Sequence, residues 1–128
     1  MKLLLDTCTF LWIALDTPQL STTALRLFRD PDNQVYLSAA SAWEIAVKSG
    51  KGRLSLPQAA GRFITAQRIL HEIEPLVISE EAAFQTEKLP RLHGDPFDRI
   101  LICQSIVHGM TILTPDEAIS QYAVRVRW

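Results

Sequence analysis

The chain has 128 residues, 13 Lys and Arg set against 14 Asp and Glu, and 48% hydrophobic residues without any low-complexity tract. That length fits one domain, 1–128, burying roughly two-thirds of the surface its unfolded form exposes, and the composition excludes a disordered protein. The formal charge of -1 gives no global basic signature, so any contact with nucleic acid has to come from a local patch.

Lys2 to Leu5, closed by Asp6, is a short continuous apolar run that suits a central parallel strand buried on both faces. Thr7 to Leu15 places Phe10, Leu11, Ile13 and Ala14 at helical spacing, and Asp16-Thr17-Pro18 stops it. Ser21-Thr22-Thr23 offers caps for a second helix with Ala24, Leu25, Leu27 and Phe28 as apolar positions, completing a helical hairpin. Val35 to Leu37 reads as the second strand. Ser38 to Lys48 is helical and carries Glu44 inside an otherwise uncharged run, which predicts a helix buried on most of its circumference. After the basic turn from Ser49 to Leu54, a helix starts at Leu56-Pro57 and runs to about His71, with Phe63, Ile64, Ile69 and Leu70 as core candidates.

Leu76 to Ile78 is the third expected strand. Ser79-Glu80-Glu81 caps a helix to about Leu89, with acids in its first turn where the helix dipole favours them. Asp95-Pro96 opens a helix to Val107, because an Asp oxygen accepts from the free amides and Pro is tolerated at the first helical position. His108-Gly109 stops that helix, Met110 to Leu113 is a strand, Glu117 to Tyr122 a short helix, and Val124 to Val126 a last strand. Strands alternating with helices predict an α/β fold with a parallel sheet. Cys8 and Cys103 lack any paired spacing for zinc or redox work and read as small buried residues. The N-terminal apolar run is too short for a signal sequence or membrane span, so a cytoplasmic protein is expected.

Four acids fall at corresponding places in this plan. Asp6 closes the first strand, Glu44 lies within two turns of the second, Asp98 opens the helix before the fourth, and Asp116 follows the fourth. Ligands of an open parallel sheet bind outside the carboxyl ends of its strands, where these acids are expected. Each also has a local explanation. Asp6, Asp95 with Asp98, and Asp116 can cap helices, and Glu44 can pair with Lys48 one turn on. Together they would repel one another unless a cation neutralised them, and oxygen donors without His or Cys select Mg²⁺ or Mn²⁺. Such a site suits phosphodiester hydrolysis by activated water.

Leu3-Leu4-Leu5-Asp6-Thr7, Ser38 to Ile45 with its Trp43-Glu44, the His93 to Ile102 stretch H-x-D-P-F-D-R-x-L-I, and Leu113-Thr114-Pro115-Asp116 resemble, in order, the motifs of the PIN domain family. Within it they resemble the VapC-like toxin ribonucleases of bacterial toxin–antitoxin pairs. The resemblance implies a three-layer α/β/α sandwich around a mostly parallel sheet of about five strands. It implies Asp6, Glu44, Asp98 and Asp116 as catalytic, metal-binding acids for Mg²⁺ or Mn²⁺, with Asp95, Thr7 and Thr114 in support. It further implies an RNA substrate cleaved to 5′-phosphate and 3′-hydroxyl ends, a VapB-like antitoxin partner and a homodimer.

Holding RNA requires cations near the acids. Lys48, Lys51 and Arg53 follow Glu44, while Arg91, His93 and Arg99 flank Asp98; Lys48, Lys51, Arg53 and Arg99 are the RNA-binding candidates. Local pairing is the competing reading for Lys48 and Arg99. His93 reads as a loop hydrogen-bonder, and Trp12 and Trp43 as core or interface residues. The rival functions are a phosphatase with Asp6 as nucleophile, disfavoured because Cys8 stands where a second Asp is needed, a phosphorylated receiver domain, which would want paired acids after its first strand, and a non-catalytic RNA- or partner-binding protein.

Overall fold

The computed structural model describes residues 1–128. In chain order the elements are β1 (Lys2–Leu5), α1 (Thr7–Ala14), α2 (Thr22–Arg29), β2 (Gln34–Ser38), α3 (Ala39–Gly50), α4 (Ala60–His71), β3 (Glu74–Leu76), α5 (Glu80–Lys88), α6 (Pro96–His108), β4 (Thr111–Leu113), α7 (Glu117–Ser120) and β5 (Val126–Arg127). The five strands form one all-parallel sheet in the order β3-β2-β1-β4-β5. Leu3, Leu4 and Leu5 are all fully buried because β1 is the middle strand, covered on both faces.

Alternation along β1 separates two cores. Leu3 and Leu5 join Phe10, Leu27, Ile45, Phe63 and Leu113 on one face, while Leu4 joins Leu101, Ile102, Met110, Ile112 and Tyr122 on the other. Helices therefore lie on both sides of the sheet, giving the three-layer α/β/α sandwich expected of the sequence. The chain builds from β1 outward to β3, then returns across the sheet to add β4 on the other side of β1. That reversal opens a crevice between the carboxyl ends of β1 and β4, the position where ligands bind in doubly wound sheets.

Several expectations shift. The third strand is Glu74–Leu76, where Tyr36 pairs with Glu74 and Ser38 with Leu76. Pro75 sits within this edge strand, a place that tolerates a residue without an N–H, and Val77 and Ile78 lie exposed beyond it. The last strand is Val126–Arg127, set by pairing of Val126 with Ile112. Helix α4 starts at Ala60, after an Ala59 that has no side-chain oxygen to mark the start. Phe63 and Ile64 are buried as expected, but Ile69 and Leu70, in its last turn, are exposed. Helix α6 ends as predicted at Gly109, whose φ of 65° is the left-handed conformation that glycine adopts without a side-chain clash. Cys103 is buried, whereas Cys8 is exposed. Trp128 is not a free end: it packs on half-buried Trp12 with ring centroids 5.8 Å apart.

Candidate metal centre and the comparisons

Strand register brings the first groups together. Leu5 pairs with Leu37 on one side and Leu113 on the other, so the next residues, Asp6, Ser38 and Thr114, lie at one level of the sheet edge. Each is buried. Asp6 divides its two oxygens: Oδ1 caps α1 by accepting from Thr9 N at 2.8 Å, and Oδ2 accepts from Thr114 Oγ1 at 2.5 Å. Thr114 Oγ1 in turn accepts from Asp116 N at 3.0 Å, which turns the chain so that Asp116 caps α7 through Ala118 N. Capping and membership of the site are thus compatible, since a helix that starts after a parallel strand starts at the ligand-binding edge.

Glu44 is buried on α3. Its Oε1 accepts from Thr7 Oγ1 at 2.6 Å, and Ser41 Oγ lies 3.1 Å from the same hydroxyl. Its Oε2 takes the Lys48 ammonium one turn on, which raises the Lys48 pKa through that hydrogen bond. The predicted local pair therefore forms, while Thr7 ties Glu44 to the residue next to Asp6. The sequence expectation for the rest of α3 is corrected: Trp43 is 63% exposed, and its ring meets Phe97 edge-on at a centroid distance of 5.2 Å.

On α6, Asp95 Oδ1 accepts from Phe97 N at 2.9 Å and Asp98 N at 3.2 Å, confirming its capping geometry. Asp98, in the first turn, is partly buried and bonded through Oδ2 to His93 Nε2 at 3.1 Å. Burial pushes the Asp98 carboxyl up to about 6; the His93 hydrogen bond opposes this, and the charges of Asp95 and Asp116 reinforce it. Burial also raises Asp6, against the hydrogen bonds from Thr114 and Thr9, with Asp116 adding to the rise. Asp116 thus adds a smaller rise to both Asp6 and Asp98, after burial. Cys8, exposed as a residue but with its thiol raised by partial loss of solvent and then by the charges of Asp6 and Glu44, lies beside them.

The basic candidates separate. Arg99 points inward: Nη1 donates to Pro90 O at 2.8 Å and Tyr122 Oη at 3.1 Å, and Nη2 to Leu89 O at 3.2 Å and Thr86 O at 3.4 Å. Its guanidinium braces the segment between α5 and α6 and is not free to meet phosphate. Lys51 and Arg53 are exposed beyond the end of α3, Lys51 about 10 Å along the axis from Glu44 at 1.5 Å per residue. Two residues in this neighbourhood are not among the candidates from the sequence. Gln104, fully buried, accepts from Ser38 Oγ at 2.6 Å and donates to Val77 O at 3.2 Å, and Tyr122 contacts both His93 and Arg99. Only a residue polar within an apolar helix run could have drawn attention to Gln104.

The donor set is uniformly oxygen: carboxylates of Asp6, Asp98 and Asp116 with threonine hydroxyls beside them. No group of three or more His, Cys, Asp or Glu side chains is gathered so as to hold a metal ion. A set of this kind fits Mg²⁺ or Mn²⁺, which keep several waters and need one or two protein carboxylates, and does not fit zinc.

Comparison with known proteins supplies the family. The PIN domain model matches residues 3–125. The chain belongs to the PIN domain family. Its fold is shared with a chain of the VapBC2 complex from Rickettsia felis bound to a promoter DNA fragment, at a TM-score of 0.75 and 15% identity, covering 99% of this chain and 98% of that one. It is also similar to VapBC-1 from nontypeable Haemophilus influenzae, at 0.64 and 17% identity over 99% and 97% of the two chains. A chain of FitAB bound to the IR36 DNA fragment matches at 0.64 and 21% identity over 98% and 93%. No curated protein matches in sequence. As in the PIN fold at large, the sheet here is central and parallel, and no helix is long and apolar enough to cross a membrane.

Proposed function

We propose that this PIN-domain protein is a metal-dependent endoribonuclease, the VapC-like toxin of a toxin–antitoxin pair. The observation that carries the reading is the placement of Asp6 and Asp116 directly after β1 and β4, tied together by the Thr114 hydroxyl, with burial raising Asp6 and Asp98 and the Asp116 charge adding to both. A buried carboxylate at Asp6 and a half-buried one at Asp98, with the Asp116 charge near both, call for a cation. A bound Mg²⁺ or Mn²⁺ would polarise the scissile phosphate and lower the pKa of an attacking water. The residues do the rest. Thr114 aims Asp6 and holds the backbone amide of Asp116, His93 aims Asp98, and Thr7 aims Glu44.

RNA is the substrate this reading favours, and Trp43 supports it. A largely exposed indole against Phe97, each next in sequence to a site acid, offers a stacking face for an unpaired base. Lys48, Lys51 and Arg53 are the cations assigned to the more distant phosphates. A VapB-like antitoxin is the partner this reading carries, on the resemblance of fold to VapBC and FitAB chains, and a homodimer goes with the resemblance of its motifs to VapC-like toxins.

Incubating the purified protein with single-stranded RNA and DNA, with Mn²⁺ or Mg²⁺ and with chelator, tests the reading. Wild type should cut RNA only with the cation, and Asp6→Asn and Asp98→Asn should lose that activity. Cleavage equal in all three proteins and indifferent to chelator would return the chain to the non-catalytic binding class.

A further inference from the structure

Tyr122 is buried in the second core just beyond α7, and its hydroxyl lies at the centre of a hydrogen-bond chain. The phenol oxygen has three polar neighbours: His93 N at 3.2 Å, Arg99 Nη1 at 3.1 Å and His93 Nδ1 at 2.7 Å. An amide and a guanidinium can only donate. They occupy the two lone pairs of the phenol oxygen, so its single proton must point at Nδ1. Nδ1 is then the acceptor of a neutral imidazole, and the ring proton sits on Nε2. The neighbour of Nε2 is Asp98 Oδ2 at 3.1 Å, an acceptor.

We infer that Tyr122, itself held by Arg99, is a positioning residue that locks His93 as the Nε2–H tautomer and makes it a donor to Asp98. Both nitrogens of His93 are thereby committed, so His93 does not serve as the general base. Oδ2 of Asp98 is taken, and Oδ1 is the oxygen left to face a cation. The arrangement has the logic of outer hydrogen-bond partners that orient metal-binding carboxylates and imidazoles. Arg99 completes it from below: its bonds to the carbonyls of Thr86, Leu89 and Pro90 fix the segment leading to His93. The consequence for Asp98 rests on the nuclease reading, whereas the tautomer does not.

The two are therefore tested separately on the full chain. Long-range proton–nitrogen correlation spectra of the metal-free wild type, at slightly alkaline pH, should show His93 protonated on Nε2, and Tyr122→Phe should give a mixture of tautomers. An Nδ1–H form in the wild type, or an unchanged His93 pattern in Tyr122→Phe, overturns the inference. Mn²⁺ titration then reads the effect on Asp98. Tyr122→Phe and His93→Leu should each weaken Mn²⁺ binding about ten-fold, while His93→Gln, whose amide nitrogen can replace Nε2, should stay near wild type. Equal losses in His93→Gln and His93→Leu would also overturn it, and this pair decides the matter if Tyr122→Phe does not fold. Absence of Mn²⁺ binding by the wild type would remove the cation role and the nuclease reading together, leaving the tautomer to the spectrum.

Discussion

Thr114 Oγ1 donates to Asp6 Oδ2 across 108 residues of chain, and the same oxygen accepts from Asp116 N. One hydroxyl thus joins the end of β1 to the end of β4. Thr114→Val keeps the shape, removes the donor and leaves a buried carboxylate oxygen and an amide without their partner. A loss of about 1–3 kcal/mol is expected in urea unfolding, with Thr114→Ser close to wild type. Equal stability of the Val and Ser variants would show that the hydroxyl is dispensable.

Asp98 links the site to pH. Its carboxyl titrates at about 6 in the folded chain against the ordinary 3.8, so the folded state binds this proton more tightly than the unfolded state. The associated stability is fully present below about 4 and is lost as pH rises through about 6. In chelator, the melting temperature of wild type relative to Asp98→Asn should therefore fall between pH 4 and 7. At pH 7 the variant should be the more stable of the two. Adding Mn²⁺ should stabilise wild type in proportion to the logarithm of its concentration and leave the variant nearly unmoved. A difference between the two proteins that is flat with pH would refute this assignment.

Arg99 and Lys51 should separate structure from binding. Arg99→Ala strips donors from three carbonyls and the Tyr122 hydroxyl, and a loss of about 2–3 kcal/mol in unfolding is expected. Lys51→Ala, at an exposed position, should change stability by less than about 0.5 kcal/mol and reduce the salt slope of RNA binding by about one. An unaltered slope would take Lys51 out of the RNA path.

Trp43→Ala removes an exposed ring and should change stability little, while single-stranded RNA binding weakens by about 1–3 kcal/mol. Phe97→Leu, which removes the edge support, should fall between the two. The measurement is the fluorescence anisotropy of a labelled, non-cleavable RNA, with KM followed in parallel. If Trp43→Ala instead changes the oligomeric state and spares RNA affinity, the indole belongs to a protein interface.

Local chemistry made much of this molecule legible from its residues. The apolar run of β1, the Ser and Asp caps, Asp95-Pro96 and Gly109 each express a preference within a few neighbours, and the acids at strand ends follow from the α/β alternation alone. Long-range partners were not legible. Register decided that β3 ends at Leu76 and that Asp6 meets Thr114, because pairing depends on which strands become neighbours. Burial decided that Trp43 faces solvent and Trp128 packs on Trp12, since hydrophobic type does not say which face another element covers. The sequence by itself determined that Asp6 follows β1 and that Asp116 comes just after β4. Only the tertiary structure decided what aims Asp98: Tyr122, His93 and Arg99 meet because α6 and the chain beyond α7 pack on one core, a proximity that no spacing encodes.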